Sequence, residues 1–268
     1  MQKVVIIGCG WLGQQLGLAL AKAGFQVFGT RQSVAALSLL PAPIQPLLLQ
    51  LPCTDPQPEL LELFNDAWLI CALPPAVRQQ GTDFYPAVLQ NLAQLVGKAS
   101  VRGVIHCSST GVYAGLSGEV SEQSELVQSG KAAYLLAGEQ ALQQCQPCIT
   151  LRLAGLIGPG RHPGRFGRGG SLTGAELPVN LVHSADIAAF ILVLMQQVKL
   201  TSDCVNLCCP EHPTKQQFYP VAAAHVGQSA VDFTTEDEPG RAVNSSRSQT
   251  YQGFHYQFQS PEQALDFC

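Results

Sequence analysis

Short runs of Val, Ile and Leu alternate along the first 150 residues with longer stretches in which apolar positions recur every three or four residues. The runs at 3–7, 26–29, 44–50, 67–71, 103–107 and 148–153 are brief, apolar and bounded by turn residues, which predicts buried parallel strands. The longer stretches at 11–23, 33–39, 59–64, 83–96 and 130–144 carry helical spacing. Strand and helix alternating in this way predict right-handed crossovers and a parallel sheet with helices on both faces. After residue 153 the pattern changes. Residues 155–174 are glycine-rich, a helix is expected at 185–197, a strand at 204–208 and a helix at 214–226, and residues 232–247 read as a charged loop. The expected organisation is an α/β core over residues 1–154 and a smaller C-terminal α/β substrate lobe over 155–268, partly interleaved with it.

The first thirty-one residues carry the sharpest signal. The first strand ends in Gly8-Cys9-Gly10-Trp11-Leu12-Gly13, a helix follows, and a second strand meets Thr30-Arg31. Strand, glycine turn, helix, strand and polar tip make up the Rossmann βαβ unit that binds dinucleotides. Gly8 permits the tight turn, Gly10 lets the backbone approach a pyrophosphate, and Gly13 lets the helix pack on the sheet. The helix from Trp11 and Leu12 onward offers free amides and a positive dipole end to phosphates. At the tip of the second strand an acid would select the ribose hydroxyls of NAD, but the chain reads Thr30-Arg31-Gln32-Ser33. Arg31 can pair with a 2′-phosphate, and Thr30 or Ser33 can add a hydroxyl. NADP is therefore the expected cofactor, with NAD as the second choice. Leu51 is placed to flank the adenine, and Leu73 and Pro74 to line the far side of the cofactor.

Composition narrows the alternatives. With 268 residues, 46% of them hydrophobic and 13% charged, the chain can bury a substantial core. A formal net charge of −4 argues against general nucleic-acid binding, which needs a basic face. No stretch is apolar for long enough to span a bilayer. Ten scattered cysteines and no export signal point to reduced thiols in a cytoplasmic protein.

The fifth strand runs into His106-Cys107-Ser108-Ser109-Thr110-Gly111-Val112-Tyr113. Downstream lie Gly118-Glu119-Val120-Ser121-Glu122, Leu151-Arg152-Leu153-Ala154-Gly155-Leu156-Ile157-Gly158-Pro159-Gly160, Asn180-Leu181-Val182-His183-Ser184-Ala185-Asp186-Ile187-Ala188, Val205-Asn206-Leu207 and Pro213-Thr214. With the glycine motif, these segments resemble the extended short-chain dehydrogenase/reductase superfamily, the NAD(P)-dependent epimerase/dehydratase group, over nearly the whole chain. The resemblance implies hydride transfer between nicotinamide and a carbon bearing oxygen. It also implies a tyrosine acid/base whose pKa is lowered by a lysine four residues later, and a serine or threonine that hydrogen-bonds the substrate oxygen. A phenol of pKa ~10 needs such a cation to work at neutral pH. Ser109 stands at the serine position, with Ser108 beside it against the cofactor.

The Tyr-x-x-x-Lys pair is broken. Counting back from Glu139, which resembles the family's helix glutamate, Lys131 takes the tyrosine position and Leu135 the lysine position. Taking Tyr134 as the tyrosine puts Gly138 where lysine should be. Three arrangements stay open: Lys131 and Tyr134 as a rearranged pair, Tyr113 as the phenol, or nucleotide binding without redox chemistry. The expected function is an NAD(P)-dependent oxidoreductase or epimerase/dehydratase-like protein acting on a sugar or small hydroxy or carbonyl compound. The alternative is a non-catalytic NADP-binding sensor or partner-binding protein.

Arg161, Arg165 and Arg168 in the glycine-rich segment can clamp an anionic substrate. His183 and Asp186 read as structural, with Ser184 as the helix cap. Cys204, Cys208, Cys209 and His212 do not match a closed zinc set, and Cys145 and Cys148 precede a strand, so neither metal nor dithiol chemistry is expected. His106 reads as a core histidine. By analogy with the family, pairing into a homodimer would use the helices beside the fourth and fifth strands.

Overall fold

The computed structural model describes residues 1–75, 80–166, 171–197, 200–229, 232–234 and 240–268. Its elements run β1 (Lys3–Ile7), α1 (Trp11–Lys22), β2 (Gln26–Arg31), α2 (Val34–Leu37), β3 (Gln45–Leu48), α3 (Pro58–Phe64), β4 (Ala67–Cys71), α4 (Phe84–Val96), β5 (Gly103–Ser109), β6 (Gly118–Val120), α5 (Gly130–Leu142), β7 (Cys148–Leu153), β8 (Gly155–Ile157), β9 (Leu181–His183), α6 (Ser184–Gln196), β10 (Asp203–Leu207), α7 (Lys215–His225), β11 (Arg241–Val243) and α8 (Ser246–Gln249). Seven strands form one sheet in the order β10-β7-β5-β4-β1-β2-β3. β1 pairs in parallel with β2 on one side and β4 on the other, Lys3 lying opposite both Gln26 and Ala67. The chain order reverses at β1, which opens a crevice at the carboxyl ends of the strands, where ligands of such sheets sit.

The middle of the sheet is buried because β1, β4 and β7 are rich in Val, Ile, Leu and Cys, whereas the edge strand β3 is largely exposed. β4 and β7 are buried throughout, and α1 and α4 cover the sheet with Leu12, Leu16 and Leu20 and with Val88, Leu89, Leu92 and Val96. β2 runs two residues beyond its expected end because Arg31 pairs with Leu48 of β3. β5 likewise continues to Ser109.

The chain divides into two compact units. One holds Met1–Val112, Gln128–Arg152 and Leu194–Val205; the other holds Tyr113–Val127, Leu153–Val193 and Asn206–Cys268. The core of the second unit includes Ile157, Leu181, Phe218, Phe258 and Leu265. It also contains two short parallel pairs, β6 with β11 and β8 with β9. The stretch expected as a charged loop over 232–247 thus contains a strand, and the glycine-rich segment opens with one.

Three polar clusters brace the second unit. Tyr113 is fully buried and its hydroxyl donates to Asn206 Oδ1 at 2.7 Å, while Asn206 Nδ2 donates to the Asn244 carbonyl. The helix cap expected of Ser184 comes instead from the His183 ring, whose Nδ1 accepts from the Ala185 amide, leaving Nε2–H to donate to the Phe267 carbonyl. Asp186 Oδ1 accepts from the Gln257 amide at 2.7 Å. Burial pushes its carboxyl up to about 6 against the pull of that hydrogen bond. In the third cluster the Gly164 amide donates to His162 Nδ1, which puts the proton of a neutral ring on Nε2, facing His225 Nδ1 at 3.1 Å. His225 Nε2 in turn meets Asp266 at 3.0 Å. Burial, with His225 and Arg165 nearby, lowers the pKa of His162.

Candidate functional site

Gly8 leaves β1 with φ +87°, a conformation that needs glycine, and a Cβ there would meet Leu73. The turn is tied to β2 from below. Thr30 Oγ1 accepts from the Gly8 amide at 2.9 Å and the Thr30 carbonyl accepts from the Cys9 amide at 3.0 Å. The Gly10 amide bonds back to the Gly8 carbonyl. The loop's own amides are therefore spent on its shape. The Leu12 and Gly13 amides, in the first turn of α1, have no acceptor among the described residues, and neither a capping side chain nor an acid occupies that turn. Two N–H groups and an uncompensated helix dipole point out of this end, the chemistry that holds a phosphate.

A cavity of about 360 Å³ opens beside this loop. Its walls include Gly8, Cys9 and Gly10 after β1, Thr30 to Ser33 at the end of β2, Leu49 and Leu51 after β3, Leu73 and Pro74 after β4, and Phe84, Tyr85 and Val88 at the start of α4. Among the described residues, no acidic side chain lines it. Arg31 is half-buried in the wall. Its Nε is shielded from solvent and lacks a hydrogen-bond partner, and Arg31 forms no ion pair among the described residues. Burial pushes the neighbouring Cys9 thiol up to about 11, with the Arg31 guanidinium pulling the other way. Ser33 accepts from the Ala36 amide and caps α2, leaving its hydroxyl hydrogen free to donate. Thr30, by contrast, is buried with its oxygen committed to Gly8.

At the C-terminal end of β5 the two serines part. Ser108 turns inward and donates to Glu139 Oε1 at 2.6 Å; Glu139 grips Arg152 through Nε at 3.1 Å and Nη2 at 2.9 Å, and all three are buried. Ser108, expected beside the cofactor, thus spends its hydroxyl in the support of the strand. Ser109 is half-exposed, and its Oγ accepts from the Gly111 amide at 3.0 Å. The Lys131 side chain lies over this turn: a Cβ on Gly111 would meet Lys131 Cε at 2.7 Å, Leu135 Cδ1 at 3.0 Å and Lys131 Nζ at 3.1 Å.

Along α5 the residues of the two candidate registers fall in separate rows. Lys131, Leu135 and Glu139 form one i, i+4 row along α5, and that row runs over the end of β5, touching Gly111 and Ser108. Tyr134 and Gly138 form the adjacent row, where Gly138 faces Tyr85 and Leu89 of α4. Tyr134 is half-exposed and burial raises the pKa of its phenol. Tyr113, the other phenol considered, is enclosed and bonded to Asn206.

Behind the α4 wall, Tyr85 and His106 form a buried pair, hydroxyl to Nε2 at 3.1 Å, and His106 Nδ1 has no partner. Burial pushes the His106 ring down to about 4. Arg161 folds back on its own loop, donating to the Leu156 carbonyl and covering the Phe166 ring; Arg165 is exposed, and Arg168 lies outside the described residues. All ten cysteines are free thiols. Among the described residues no cluster of three His, Cys, Asp or Glu side chains is arranged to hold a metal, and no helix is long and apolar enough to cross a membrane.

No protein-family model matches the chain. Protein YeeZ of Escherichia coli K12 is 34% identical to it, over 97% of this chain and 98% of that protein. The chain belongs to the YeeZ family. The chain also shares its fold with solved structures over nearly its whole length. UDP-glucuronic acid 4-epimerase from Bacillus cereus, in complex with UDP-glucuronic acid and NAD, superposes with a TM-score of 0.79 at 19% identity, over 99% of this chain and 97% of that one. MoeE5 in complex with UDP-glucose and NAD gives 0.79 at 18% identity, over 99% and 96%. The fold of the chain is thus the Rossmann-like α/β fold that these structures share.

Of the residues expected at a cofactor, Gly8, Gly10, Thr30, Arg31, Ser33, Leu51, Leu73 and Pro74 line one cavity. Trp11, Leu12 and Gly13 begin the helix, with Leu12 and Gly13 buried on the sheet. The wall formed by Phe84, Tyr85 and Val88 was not expected, although their spacing after Asp83 marks one face of a helix start.

Proposed function

We propose that this protein binds a nicotinamide dinucleotide, NADP in preference to NAD, and works as an oxidoreductase on a small hydroxy or carbonyl compound. One observation carries the choice of nucleotide: the Arg31 guanidinium stands half-desolvated in a cavity wall that has no carboxylate among the described residues. A 2′-phosphate supplies the anion that such a cation lacks, with Ser33 beside it as a second donor, whereas the ribose diol of NAD asks for an acid at this tip. The Leu12 and Gly13 amides would hold the diphosphate, and Leu51 the adenine. Bound, the nicotinamide gives or takes hydride. Ser109, half-exposed at the end of β5, would hydrogen-bond the substrate oxygen. The fold shared with enzymes whose structures hold NAD and UDP-sugars supports a nicotinamide cofactor.

The test is calorimetric titration with NADPH and NADH. Losing charge-assisted hydrogen bonds of about 1.5–3 kcal/mol, Arg31→Ala should weaken NADPH about 10- to 150-fold and NADH less than about 3-fold. Equal losses for both nucleotides, or tighter NADH binding by the parent protein, would remove the 2′-phosphate assignment. No heat with either would remove the cofactor.

A further inference from the structure

Resting on the nicotinamide reading above, we infer that Lys131 is the proton donor of a carbonyl reduction and that this chain works in the reducing direction. The argument begins with position. The only i, i+4 row of α5 shown to cross the end of β5 is Lys131, Leu135 and Glu139, and the Lys131 amine lies against Gly111, whose amide holds the Ser109 hydroxyl. The amine, from α5, and the hydroxyl, from the end of β5, both adjoin Gly111. Tyr134 lies in the row whose next member, Gly138, is pressed on Tyr85 and Leu89 of α4.

Chemistry gives the direction. A phenol must be ionised to serve as a base, which requires a neighbouring cation. An ammonium group already holds the proton it has to give and needs no such neighbour. Leu135, where a lysine would have been the helper, is 1% exposed and apolar, so no second cation stands in that row. In the reduction, the carbonyl carbon receives hydride from the reduced nicotinamide. The carbon–oxygen π pair moves onto oxygen, an N–H bond of Lys131 breaks and an O–H bond forms. The neutral amine then regains a proton from water. The reverse reaction, alcohol oxidation, would need an amine that has already lost its proton, which lysines seldom supply at neutral pH. Ser109 orients the oxygen throughout.

Position also gives a readout that does not depend on turnover. The Ser109 turn ends a strand two places from β1, about 10 Å from the glycine loop across the sheet. A dinucleotide gripped at α1 reaches that far. Acetic anhydride labelling read by peptide mass should therefore show Lys131 shielded at least five-fold by NADPH while Lys22 is unchanged.

For activity, the probes are NADPH with glyceraldehyde, methylglyoxal and benzaldehyde. Lys131→Ala should lower the rate about 100-fold or more, as expected for loss of a general acid, with NADPH affinity within three-fold of the parent. Methylammonium should restore part of that rate, and Tyr134→Phe should stay within three-fold. Tyr134→Phe as damaging as Lys131→Ala, unshielded Lys131, or NADPH binding without reduction of any probe would each overturn the proton assignment and leave the cofactor reading standing. Failure of NADPH to bind at all would instead bring down that reading first.

Discussion

Glu139 is the point at which the support of the site can be broken most sharply. Its carboxylate is 1% exposed, accepts from both Arg152 Nε and Nη2, and receives the Ser108 hydroxyl. Glu139→Ala leaves a buried guanidinium without a counter-charge, a loss worth about 3–5 kcal/mol. The orphaned Ser108 hydroxyl adds little beyond that, because it can rotate toward another acceptor. Trp68, nearly buried on β4 in the same unit, reports the transition by fluorescence. With a urea slope of about 3 kcal/mol/M, the midpoint should fall by about 1–2 M. The decisive comparison is Glu139→Ala combined with Arg152→Met. If the penalty is the uncompensated charge, removing the charge recovers at least half of it, since a buried ion pair exchanged for well-packed apolar groups is often neutral. A single variant within about 1 kcal/mol of the parent would refute this reasoning. So would a double variant no more stable than Glu139→Ala.

Acidification should reveal two opposed titrations. His106 is held neutral, so its folded pKa lies below the unfolded ~6.5; its contribution is intact above that value and declines by about 3 kcal/mol as pH falls to about 4. Asp186 runs the other way: its raised folded pKa makes its contribution largest below the unfolded value, and the contribution drains as pH rises through about 6. Asp186→Asn should therefore steepen the rise of the unfolding midpoint between pH 4 and 6, and a flatter profile than the parent's would contradict the assignment. Rebuilding Tyr-x-x-x-Lys through Gly138→Lys should not raise turnover. Even Gly138→Ala should lose about 1–2 kcal/mol in urea unfolding, because its Cβ would meet Tyr85 Cε1 at 2.7 Å and Leu89 Cδ1 at 2.8 Å, and the overpacking outweighs the ~1 kcal/mol gained in helix propensity; a stabilised alanine variant would disprove the packing argument.

The nucleotide end of the site was legible in the chain because its signals are local. A glycine turn between a Val/Ile run and a Leu-rich helix needs no distant partner to be recognised, and Arg31 follows directly on the second strand. The end proposed to be catalytic was not, since Lys131 and Tyr134 are three apart and share a broad helix face; only their packing neighbours, Gly111 for one row and Tyr85 for the next, separate them. β6, β8, β9 and β11 are three residues long, too short for alternation to show, and each exists through a partner met across the chain. The His183 cap was missed for the same kind of reason: Ser184 is the usual capping residue type, and the ring's other nitrogen is fixed by Phe267, 84 residues away. The inward turn of Ser108 was hinted at by Glu139 and Arg152, two charges in otherwise apolar elements, but their meeting is tertiary.

Thr30 clasps the Gly8–Cys9 turn with its hydroxyl and its carbonyl, while the very next residue is the one proposed to choose the nucleotide. Grip and discrimination are thereby yoked through a single peptide unit. Anyone redesigning coenzyme preference in this scaffold should keep threonine at position 30 and alter only Arg31, Gln32 and Ser33. Otherwise a change meant to retune the ribose end would slacken the diphosphate end as well.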